Sequence, residues 1–164
     1  MAADQNPASS SGSPSVPANA LGNGAERARA LRVLIAEDEP AIRLVLVNKL
    51  RSAGYAVRDA ANGEDALALA KAERPDLVIT DFQMPRLDGL AMAKALFGEM
   101  STQDVPVVVL SARGHRLGAA DIANTNVQQV LMKPFSMREI LAIAQEFADR
   151  CGATKESTPR RAAA

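Results

Sequence analysis

Leu77-Val78-Ile79-Thr80-Asp81, followed by Phe82-Gln83-Met84-Pro85-Arg86-Leu87-Asp88-Gly89, is the stretch from which the rest of the chain can be read. Three aliphatic residues lead into Thr80 and Asp81, and Pro85 and Asp88-Gly89 then punctuate the chain. A short apolar run closed by turn residues has the pattern of a strand buried in a parallel sheet. Asp81 then stands at the carboxyl end of that strand, where open α/β sheets place their chemistry.

The same signature repeats on either side. Upstream, Arg32-Val33-Leu34-Ile35-Ala36 reads as a strand running into Glu37-Asp38-Glu39-Pro40. The next residues, Ala41, Ile42, Val45, Leu46, Lys49 and Leu50, have helical spacing, with Leu44 widening the apolar face. Pro40 suits the first turn of this helix and Gly54 its end. Ala56 to Ala60 is a weaker strand, Asn62-Gly63 a turn, and Glu64 to Arg74 an Ala/Leu-rich helix stopped by Pro75. Downstream, Gly89 to about Met100 reads as a helix, and Asp88-Gly89 as its turn and cap. Val107 to Leu110 reads as a strand ending at Ser111-Ala112. Residues from about Arg116 to Ala123 read as a helix, and Val127 to Met132 as a strand closed by Lys133-Pro134. Ser136 with Glu139 forms a capping box for a last helix, whose inner face is Ile140, Leu141, Ile143, Ala144 and Phe147.

Five strand–helix units in strict alternation predict an α/β protein. The expected architecture is a flavodoxin-like, doubly wound (βα)5 fold. It has a five-stranded parallel sheet of order 2-1-3-4-5 and helices on both faces. The expected domain covers 31–150, between tails 1–30 and 151–164 that are too small and polar to offset the entropy of ordering them. No further folded unit is expected after Arg150, and the domain is expected to act alone.

Composition narrows the function. The chain has 164 residues, 48% of them hydrophobic, with no Trp and a formal net charge of zero. Nothing global therefore points to nucleic acid. Cys151 is the single cysteine, so no intramolecular disulfide and no cysteine metal site exist. No apolar run nears a membrane span and no secretory leader is evident, so a cytoplasmic location without membrane insertion is expected. His115, the only histidine, has no partner at ligand spacing and reads as a loop residue.

In the 2-1-3-4-5 order the first and third strands are neighbours, and Glu37, Asp38 and Asp81 converge in one crevice. Three carboxylates repel unless a hard cation joins them, and Mg²⁺ takes such oxygen ligands together with water and phosphate oxygens. Ser111 and Lys133 end the fourth and fifth strands, where a hydroxyl can donate to a phosphoryl oxygen and an ammonium can neutralise it. The set suits a phosphoryl group on Asp81, since a carboxylate is a covalent nucleophile in phosphoryl transfer.

Glu37-Asp38, Asp81 with Met84-Pro85 and Asp88-Gly89, Ser111-Ala112, and Lys133-Pro134-Phe135 together resemble the receiver domain of two-component response regulators, over about Arg32 to Ala148. The resemblance implies that Asp81 accepts phosphate from the phosphohistidine of a sensor histidine kinase or phosphotransfer protein. It implies Mg²⁺ held by Asp38, Asp81 and the main-chain carbonyl of Gln83, with Glu37 acting directly or through water. Lys133 would pair with the phosphoryl group ahead of a cis bond at Pro134, and Ser111 would move to report its arrival. The protein would be a phosphoacceptor switch, not a dedicated enzyme, with a protein as its downstream partner and no direct contact with nucleic acid. An aspartyl-phosphate hydrolase is disfavoured because Gln83 stands where a second acid is needed. A phosphorylation-independent interaction module is the alternative. It is suggested by Val130, which occupies a position where receivers commonly carry a mobile aromatic ring. Asn124-Thr125-Asn126, without glycine, predicts a short or irregular fourth helix.

Overall fold

The computed structural model describes residues 29–112 and 117–152. His115 and nearly all of both tails lie outside these residues. The elements alternate as β1 (Arg32–Ala36), α1 (Pro40–Ser52), β2 (Ala56–Ala60), α2 (Gly63–Ala72), β3 (Leu77–Asp81), α3 (Gly89–Phe97), β4 (Val107–Ser111), α4 (Ala119–Ile122), β5 (Val127–Met132) and α5 (Met137–Cys151). The five strands form one parallel sheet in the order β2-β1-β3-β4-β5.

The period of two along a strand divides the aliphatic residues between two cores. Val33, Ile35, Leu77, Ile79, Val108 and Leu110 face Leu46 and Leu50 of α1 and Ile140 and Phe147 of α5. Leu34, Ala36, Val78, Val107 and Val109 face Ala66 and Ala70 of α2 and Met92 and Leu96 of α3. β3 and β4 are buried at every residue, whereas the edge strands β2 and β5 are buried only in part. The helix ends follow local chemistry. Asn62 caps α2, Asp88 caps α3, and Ser136 with Glu139 forms the expected capping box on α5. Gly54, just beyond the end of α1, takes a φ of 89° that an L side chain would resist.

The face of α1 differs from the expected one. Leu46, Val47 and Leu50 are buried, whereas Lys49 is exposed and Leu44 and Val45 are 60% and 48% exposed. Four consecutive aliphatics, Leu44 to Val47, have no amphipathic direction of their own. The helix turns Leu46, Val47 and Leu50 into the core under the sheet, and Arg43 reaches back to the Glu37 carbonyl and to Asp59. The fourth helix is a single turn, left through Asn124 at a φ of 58°. Arg29, assigned to the tail from composition, is bound to Asp76 through two hydrogen bonds of 2.6 and 2.7 Å. Cys151, assigned to the C-terminal tail, is the last residue of α5, and left-handed Gly152 follows it.

Candidate functional site

The register brings the strand ends level. Ala36 pairs with Thr80 and Asp81 with Leu110, so Glu37 leaves β1 beside Asp81. Ser111 pairs with Met132, and the Lys133 N–H donates to the Ser111 carbonyl at 2.7 Å, which aligns the ends of β4 and β5. Lys133 precedes a cis peptide bond to Pro134. At the end of β3 the chain turns into the loop Phe82–Asp88, and Gly89 returns against the strand. A Cβ on Gly89 would stand 2.2 Å from the Asp81 carbonyl oxygen, so only glycine allows this approach.

Two of the three expected carboxylates are buried and share one ammonium. Glu37 is 1% exposed and Asp81 7%. Lys133 Nζ lies 2.8 Å from Asp81 Oδ1 and 3.2 Å from Glu37 Oε2. The other oxygen of Asp81, Oδ2, accepts from the Gln83 N–H at 3.1 Å, so both oxygens of this carboxylate are held. Asp38 is exposed at the rim. Burial raises the Glu37 carboxyl, against the pull of Lys133, and the neighbouring Asp81 adds to the rise. Burial opposes the charge on Lys133, but its bond to Asp81 and the field of Glu37 outweigh that and raise it.

The donor set fits a hard divalent cation. Glu37, Asp38 and Asp81 each offer a carboxylate oxygen, all within 4.8 Å of one another. Ligand oxygens about 2.1 Å from a shared Mg²⁺ stand about 3 to 4 Å apart, close to this spread. One lysine faces three carboxylates in this pocket. A cleft of about 560 Å³, lined by Asp38, Gln83, Met84 and Pro85 among others, opens beside it and leaves room for water and a phosphoryl group.

Ser111 is fully buried at the end of β4. Val130 is half-buried on β5 and packs on the α2/α3 core. The contacts of Thr80 and Arg43 carry no signal in the sequence. Thr80 is buried, and its hydroxyl donates to the Asp81 carbonyl at 2.9 Å. Arg43 Nη1 donates to the Glu37 carbonyl at 2.6 Å. An arginine in the first turns of a helix after an acidic loop carries no signal of that reach, because the loop conformation decides whether it folds back.

Residues 33–145 match the response regulator receiver domain. The chain is 40% identical over 111 residues to the transcriptional regulatory protein PdtaR of Mycobacterium tuberculosis, covering 67% of this chain and 53% of that protein. It is 37% identical over 112 residues to the response regulator MprA of Mycolicibacterium vanbaalenii, covering 68% and 48%. The chain thus spans about half the length of the curated relatives it matches. Among solved structures, the chemotaxis response regulator CheY4 of Vibrio cholerae superimposes with a TM-score of 0.66 at 29% identity, covering 72% of this chain and 98% of that one. The receiver domain of the sensor histidine kinase PA1611 of Pseudomonas aeruginosa, with magnesium coordinated in its active-site cleft, gives 0.66 at 28%, covering 73% and 98%.

Proposed function

As the chain belongs to the response regulator receiver domain family, whose members accept phosphoryl groups from histidine kinases and bind Mg²⁺ at an acidic site, we propose that Asp81 is its phosphoacceptor. The observation that carries this reading is the buried Asp81 carboxylate, held by Lys133 at one oxygen and by the Gln83 N–H at the other, beside two further carboxylates. A carboxylate oxygen of Asp81 attacks phosphorus in line with the P–N bond of a phosphohistidine. That bond breaks, and the imidazole leaves with its electron pair and takes up a proton.

Glu37, Asp38, Asp81 and the Gln83 carbonyl are the groups to hold Mg²⁺, which when bound neutralises charge on the phosphoryl oxygens. Lys133 follows the charge from the carboxylate to the phosphoryl group, and the Ser111 hydroxyl donates to a phosphoryl oxygen once one is present. The chain's own residues catalyse transfer and slow hydrolysis on themselves, without acting as a dedicated enzyme. Gln83 supplies no general acid to speed hydrolysis.

The phosphodonor is a sensor histidine kinase or phosphotransfer protein. It must bring its imidazole to the mouth of the acidic pocket, and an apolar groove of about 720 Å³ adjoins that mouth, lined by Ile42, Val45, Phe135 and Met137 with Lys133 at its edge. Val45, which lines this groove, is 48% exposed. The output is a contact with another protein, not with nucleic acid or membrane. No helix among the described residues is long and apolar enough to cross a membrane.

Incubation with a small acyl phosphate and Mg²⁺ should add one phosphoryl group, located at Asp81 by mass spectrometry, and Asp81→Asn should abolish it. Undiminished labelling of Asp81→Asn would overturn the assignment. A wild type that takes no phosphoryl group would favour the phosphorylation-independent module, the reading that Val130 suggests.

A further inference from the structure

We propose that the corner between β2 and α2, Asp59 to Asp65, acts together with Arg43 as the frame that positions the Mg²⁺ and phosphoryl pocket, while placing no group in it. The inference rests on the function proposed above.

Three ties converge on this corner. The Glu37 N–H donates to the Ala60 carbonyl at 3.2 Å, which fixes the exit of β1. Arg43 makes the second tie. Its Nη1 donates to the carbonyls of Glu37 at 2.6 Å and Asp38 at 3.4 Å, while its Nε pairs with Asp59 Oδ2 at 3.4 Å. The planar guanidinium thus spans from the end of β2 to the main chain of both acidic residues, a bridge that a single ammonium cannot reproduce. The third tie is a backbone contact. Gly63 is buried at the start of α2, and a Cβ there would stand 2.2 Å from the Leu87 carbonyl oxygen. Leu87 belongs to the loop that carries Gln83. In the same loop Arg86, at a φ of 67°, sits with Nη1 3.8 Å from Glu64 and 4.0 Å from Asp65.

The β1–α1 loop and the β3–α3 loop therefore rest on one support. Each bears part of the proposed ligand set, and Mg²⁺ demands nearly ideal octahedral geometry. A displacement of either loop spreads the oxygens. Arg43 and Gly63 are positioning residues, acting through the Glu37–Asp38 main chain and through the Phe82–Asp88 loop respectively.

The sign of one substitution separates positioning from simple electrostatics. Arg43 is a cation near an Mg²⁺ site, so by Coulomb's law its removal should tighten Mg²⁺. Loss of positioning should weaken it. Calorimetric titration of the full chain with MgCl₂ should show affinity reduced about tenfold in Arg43→Ala, the order seen when a metal site's outer partners are removed. Arg43→Lys, which keeps the charge and loses the bridge, should share most of the loss, and Gly63→Ala should show a similar one. Far-UV circular dichroism should match wild type for both Arg43 variants. If Gly63→Ala fails to fold, the two Arg43 variants decide. Unchanged or tighter Mg²⁺ binding in Arg43→Ala would overturn the inference, as would full recovery in Arg43→Lys. Absence of Mg²⁺ binding in the wild type would instead overturn the function on which it rests.

Discussion

Both ends of the sheet bury a carboxylate close to basic side chains, and they treat it in opposite ways. At the amino end, Asp76 receives Arg29 at 2.6 and 2.7 Å, Arg32 at 3.2 Å and the Arg32 N–H at 2.9 Å. Burial alone would raise the Asp76 carboxyl, but the two arginines hold it well below the usual range. At the carboxyl end a single lysine serves Glu37 and Asp81, and burial lifts Glu37 above its ordinary value. One end has cations in surplus and is a finished structural clamp. The other is short of positive charge, and that deficit suits it to a divalent cation, whose charge would offset that of a phosphoryl group beside it.

The largest expected effect probes the deficit directly. Lys133→Ala should slow labelling of Asp81 by acyl phosphate by about 100-fold or more, the usual loss when one preorganised charge-stabilising donor is removed. The same variant should bind Mg²⁺ more tightly, because a competing cation has gone. Stopped-flow or quench-flow labelling and calorimetry report the two quantities. Weaker Mg²⁺ binding in Lys133→Ala would mean that the lysine organises the pocket and does not merely compete for its charge.

Mg²⁺ should stabilise the protein by simple linkage, about 2.7 kcal/mol at a concentration 100 times the dissociation constant. Asp38→Ala should remove that gain and Asp76→Asn should keep it. Denaturant melts with and without Mg²⁺ measure both, and a gain lost in Asp76→Asn would show that the two ends are coupled.

The clamp itself should be worth less. Asp76→Asn should reduce stability by about 2 kcal/mol, since its charge-assisted bonds go to arginines that are themselves about half exposed and can return to water. The pH dependence follows from the lowered carboxyl. Its contribution is complete above the unfolded value of about 3.9 and is lost as pH falls below that value toward the depressed folded one. Wild type should therefore lose stability with acid more steeply than Asp76→Asn below about pH 4. Parallel curves would show that Asp76 is not the group responsible.

The smallest effect should be at Val130. Its β-branched side chain has few rotamers to exchange and no ring to bury, so a phosphoryl mimic should move α4 and its flanking loop more than Val130. The coupling should lie near the low end of the 1–3 kcal/mol usual between linked sites, about 1 kcal/mol. Beryllofluoride titration followed by NMR should show small shifts in the Val130 methyl groups. Val130→Tyr should enlarge the response around Ala119–Ile122. A large Val130 methyl shift in wild type would contradict this.

The strand boundaries, the sheet order and the convergence of Glu37, Asp38 and Asp81 were legible in the chain because their causes are local. Short aliphatic runs, Pro and Gly punctuation and caps act over a few residues, and right-handed crossovers then leave few ways to arrange the strands. The capping box at Ser136 and the irregular exit at Asn124 were legible for the same reason.

Tertiary structure alone decided the pairings across long stretches of chain. Arg29 meets Asp76 across 47 residues and Lys133 meets Glu37 across 96, and no local pattern specifies which charge finds which. The same holds for α1. Its uninterrupted aliphatic run fits several rotations about the helix axis, and packing against the sheet and α5 selects the one that buries Leu46, Val47 and Leu50, leaving Leu44 and Val45 exposed. Sequence determines the elements because backbone preference and hydrophobic period are short-range. Packing determines the partners, because a buried charge must be satisfied by whatever the completed fold brings within reach.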